Sequence, residues 1–94
     1  MDPTEFRATT EAAEPPAGLS LPLQTLWWEA KGDWQRAHAC AQEDTTADGA
    51  LVHAYLHRVE GDLSNAGGWY RRSGRPPATG PVAEEWTALA REFL

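Results

Sequence analysis

Twice in this chain a Gly-Asp pair, Gly32-Asp33 and Gly61-Asp62, separates two stretches of helical periodicity. Glycine ends a helix by adopting the left-handed conformation, and aspartate caps the next by accepting a backbone N–H. Each pair therefore predicts a tight reversal between two helices. Upstream of the first, Leu23, Leu26, Trp27 and Ala30 fall on one helical stripe from about Leu19, with Ser20 as cap. Downstream, Trp34, Ala37, His38 and Ala41 continue to about Glu43. The second pair lies between a helix predicted over Gly49 to Glu60 and another over Leu63 to Ser73. Residues 43 to 49 and 74 to 80 read as loops, and a last helix starts near Pro81 with Val82, Trp86, Leu89, Ala90 and Phe93 on one face.

The expected fold is all-α: about five helices, as two antiparallel hairpins and a C-terminal capping helix, in one domain over residues 19 to 94. Residues 1 to 18 are rich in Glu, Thr, Ala and Pro, with Phe6 their one aromatic, and predict a flexible acidic tail. Taking 18 from 94 leaves 76 residues, a small core that five tryptophans help to fill. The net charge of −6 argues against nucleic acid as a partner of the whole chain, because phosphate contact needs concentrated positive charge. Cys40 is the single cysteine, which excludes an internal disulfide. No apolar run approaches the roughly 20 residues of a membrane span. A cytoplasmic protein is expected.

Superposing the two Gly-Asp pairs, 29 residues apart, aligns Trp34 with Leu63, Ala37 with Ala66 and Ala41 with Tyr70. The second unit, with Ala54, Gly61, Leu63, Ala66 and Tyr70 in order and Pro76-Pro77 beyond, resembles the tetratricopeptide repeat. The first has Gly32, Trp34 and Ala37 but departs at Thr25 and Ala41, and the offset is shorter than the usual period of about 34. The resemblance covers Leu19 to Pro77 and implies stacked helical hairpins and a protein-interaction role. The strings His-Ala-Tyr-Leu-His-Arg and Trp-Tyr-Arg-Arg also resemble those of short bacterial proteins, a likeness that implies no activity.

Two groups of residues are candidates for chemistry. Trp28 lies about 100° around its helix from Trp27 and so off the centre of the apolar stripe, while Arg71, Arg72 and Arg75 cluster near Trp69 and Tyr70. Together they suggest a surface for an acidic peptide or for a second copy of the chain, with no cofactor, and this is the leading expectation. The plainer roles are core packing for the aromatics and helix-end placement for the arginines. His53 and His57, spaced i, i+4, project from one helix face, and His38 or Cys40 on the preceding helix could supply a third ligand, which makes a divalent transition-metal site the alternative. The plainer role here is again packing, with an imidazole bonded to Glu60 or Asp62.

Overall fold

Ser20, Asp33, Thr46 and Asp62 each precede a helix and accept the backbone N–H three residues on, of Leu23, Arg36, Gly49 and Asn65. These caps set the frame of the computed structural model, which describes Met1–Leu94. The chain is all-helical: α1 (Pro3–Ala8), α2 (Leu21–Ala30), α3 (Trp34–Glu43), α4 (Ala47–Val59), α5 (Leu63–Ser73) and α6 (Val82–Phe93), with a 3-10 turn at Thr9–Glu11. Gly32 and Gly61 take φ of 92° and 87° at the two reversals, and Gly74 takes 76° where α5 stops. These are values at which a Cβ would be strained.

The helix α4 is the middle of the molecule, packed against α2, α3, α5 and α6. It is buried from Gly49 to His57 on all sides, as expected of a helix whose apolar residues cover more than one face. Its start departs from expectation by two residues. Thr46, read as part of a loop, caps it, and Asp44 in turn accepts from both the amide and the hydroxyl of Thr46, at 3.0 and 2.6 Å.

The expected flexible tail is the main correction. Asp2 and Glu5 form a reciprocal capping box around Pro3, so the first turn is closed by its own side chains. Phe6 is fully buried and stacks on Trp86 at 5.9 Å. Trp27 Nε1 donates to Thr9 Oγ1 at 3.0 Å, and Lys31 Nζ to the Thr10 carbonyl at 2.8 Å. One aromatic is enough because the groove between α2 and α6 is already apolar, and it raises the helix count to six.

One residue before Trp86, Glu85 is buried and accepts from Arg58 Nη1 at 2.8 Å and from the Tyr70 hydroxyl at 2.5 Å. The carboxylate ties α4, α5 and α6 together. Arg58 also donates to the Gly80 carbonyl, fixing the loop before α6.

Candidate metal centre

Three imidazoles meet in the seam between α3 and α4. His53 and His57 face the seam from successive turns of α4, and His38 comes from α3, one turn beyond Trp34. One ring nitrogen from each of the three lies within 4.8 Å of the others. His38 Nε2 and His53 Nε2 are 3.1 Å apart, so without a metal one donates its N–H and the other accepts. Two imidazole nitrogens bound to one tetrahedral metal at ~2.0–2.1 Å would stand about 3.3 Å apart, so a small movement of either ring converts this contact into shared coordination.

Indoles hold the rings in place. Trp34 stacks on His38 at 4.8 Å, and its Nε1 donates to the Leu56 carbonyl of α4 at 3.0 Å, which fixes the indole across the seam. Trp69 of α5 stacks on His53 at 3.7 Å. Glu60 accepts from His57 Nδ1 at 2.7 Å. That bond gives His57 the tautomer with its lone pair on Nε2, the arrangement by which a carboxylate orients a metal-binding histidine. Asp62 lies nearby, but its carboxylate is engaged by the Asn65 amide as the cap of α5.

The electrostatics keep lone pairs available. Burial, then the His38, His57 and Arg72 charges, push the pKa of His53 down to about 4. Burial first and His57 second lower that of His38, against a weaker opposing pull from Glu60. Both rings are thus neutral at pH 7, the form that binds a metal. His53 Nδ1 is buried with no hydrogen-bond partner. An unpaired buried nitrogen costs about 1–3 kcal/mol, and coordination of His53 through Nε2 leaves that cost in place.

Compared with family models, with curated proteins and with solved structures, the chain matches none.

The other predicted residues do not converge in this way. Trp28 is 8% exposed, sits edge-on to Trp27 and is covered by the Arg36 guanidinium at 4.6 Å. Arg75 is paired with Glu92. Arg72 lies over Trp69 at 4.6 Å, while Arg71 lies back along α5 over Gly67 and Gly68. Cys40 is partly buried, outside the histidine cluster, and burial raises its pKa, with Glu43 adding to the shift. What sequence reasoning missed is the pair of indole walls. Trp34 and Trp69 read as core residues, and only the i, i+4 spacing of Trp34 and His38 on one helix gave a signal.

Proposed function

We propose that this protein binds a single divalent transition metal through His38, His53 and His57. The observation that carries the proposal is the meeting of three imidazoles from two helices, one of them oriented by a carboxylate. Neutral nitrogen donors suit zinc, cobalt, nickel or copper and not magnesium or calcium, which take oxygen ligands. Three protein ligands leave a coordination position for an exogenous group, the pattern of reactive and sensing sites and not of four-ligand structural ones. A tetratricopeptide-like pairing of α2 with α3 and of α4 with α5 explains the location, because the metal then joins the second helix of one hairpin to the first of the next.

Peptide docking through Trp28, Arg71, Arg72 and Arg75 has less support. Trp28 offers little surface and Arg75 already has a carboxylate partner. The metal reading is tested by metal analysis of untagged protein purified without chelator, beside the His53→Ala, His57→Ala double variant. Near-stoichiometric metal in the wild type, lost in a variant whose helix content is unchanged, is expected. Equal metal content in the two proteins would sink the proposal.

A further inference from the structure

The two Gly-Asp reversals share one backbone geometry and differ in the side chains they carry. Gly32 and Gly61 both take positive φ, and the next amide donates to the carbonyl five residues back, Asp33 to Trp28 and Asp62 to His57, each at 2.9 Å. This bond ties the aspartate to the last turn of the preceding helix. In register with Trp28 and Lys31 of the first reversal, 29 positions on, stand His57 and Glu60 of the second. Trp and Lys serve the first turn equally well, so the turn itself does not require His57 and Glu60.

At the second reversal the three side chains converge. A ring nitrogen of His57 and a carboxylate oxygen from each of Glu60 and Asp62 lie within 4.8 Å of one another, the imidazole buried and both acids exposed. His57 Nδ1 is the nitrogen that faces Glu60, at 2.7 Å. Each aspartate uses Oδ1 to cap its helix, accepting from the Arg36 or the Asn65 amide. Oδ2 of Asp33 then meets the Arg36 guanidinium at 3.5 Å. The residue in that place after Asp62 is the neutral Asn65, so Oδ2 of Asp62 has no such cation beside it.

An imidazole carries two nitrogens, and either can bind a metal. In the metal-site reading His57 coordinates through Nε2, together with His38 and His53, which leaves Nδ1 directed at the carboxylates. We infer that His57 bridges two ions, and that its Nδ1, Glu60 and Asp62 hold a second divalent transition metal. This rests on the metal-site reading. The second ion displaces the proton between Nδ1 and Glu60, which passes to solvent, and Glu60 changes from orienting the ring to ligating. The two carboxylates offset the repulsion between dications on one ring. What repulsion remains makes this the weaker site, filled after the first. Mixed nitrogen and oxygen donors suit copper(II) or zinc.

The test titrates copper(II) into the metal-stripped full chain and follows its electron paramagnetic resonance at low temperature. The first ion should give the signal of an isolated copper. When the second place fills, the unpaired spins couple through the shared ring, and the integrated signal per copper should collapse. Asp62→Asn keeps a side chain that caps a helix equally well. It should bind the first copper as the wild type does and the second about tenfold or more weakly. Asp33→Asn, the same change at the other reversal, should alter second-ion binding less than about twofold. A wild type that takes up only one copper would overturn the inference, as would two coppers with additive signals or a second ion held equally by Asp62→Asn. Weakening of the first ion by Asp62→Asn would place the tight site at the reversal and overturn both readings. A wild type that binds no copper marks failure of the metal reading itself, and the bridge falls with it.

Discussion

His57 and Glu60 are where the account is most exposed at the scale of single residues. Glu60 is on the surface side of its 2.7 Å bond to His57 Nδ1, with a side chain 38% exposed, so Glu60→Gln should leave folding intact. It replaces a charged acceptor by a neutral amide, and metal affinity measured against a competing chelator is predicted to fall about 10- to 100-fold. Unchanged affinity would show that the carboxylate plays no part in orienting the ring. His53 gives a second prediction, for the metal-free protein. Its proton binds at about 4 in the folded chain against 6.5 for an unburied histidine, so the unfolded chain takes up the proton first as pH falls. The His53 contribution is therefore complete above pH 6.5 and lost between 6.5 and about 4, by about 2 kcal/mol after allowance for solvent screening. Urea midpoints at pH 7 and 4.5 should diverge more in the wild type than in His53→Phe. Equal divergence would place the acid sensitivity elsewhere.

Among the elements, α1 carries the sharpest contrast between sequence and structure. Its cap was legible: Asp2, Pro3 and Glu5 stand in the order that a capping box requires. Its anchor was not, because a lone Phe6 in an acidic, Pro-containing stretch gives no periodicity, and the groove that receives it is built by Trp27 and Trp86, far along the chain. Phe6→Ala is predicted to destabilise the protein by about 3 kcal/mol in urea unfolding, the usual cost of emptying a fully buried aromatic site. Leu63→Ala, at a residue 69% exposed, should cost less than about 0.5 kcal/mol. An equally small effect at Phe6 would return residues 1–18 to the status of a tail. The helices α2, α3, α5 and α6 followed from their caps and stripes, since Gly-Asp reversals and Ser20 act locally. The clamp on Glu85 had no such signal. Its position in the first turn of α6 accounts for it by the helix dipole alone, and only the tertiary fold brings Arg58 and Tyr70 to it.

For the molecule as a whole, the candidate site was half legible. The i, i+4 pair on α4 is a local property, and His38 entered only as a residue that could join it. The approach of α3 to α4 depends on Ala37 and Ala41 being small and on Trp34 reaching the Leu56 carbonyl, contacts between residues distant in sequence. Metal binding should therefore tie α3 to α4 and raise the unfolding temperature, by the linkage that holds for any ligand bound by the folded chain alone. The most direct test is X-ray absorption at the edge of the metal bound to wild-type protein. Three imidazole nitrogens at ~2.0–2.1 Å with one further light atom are predicted for zinc. A shell dominated by oxygen, or one with fewer than three imidazoles, would contradict the assignment of His38, His53 and His57 as its ligands.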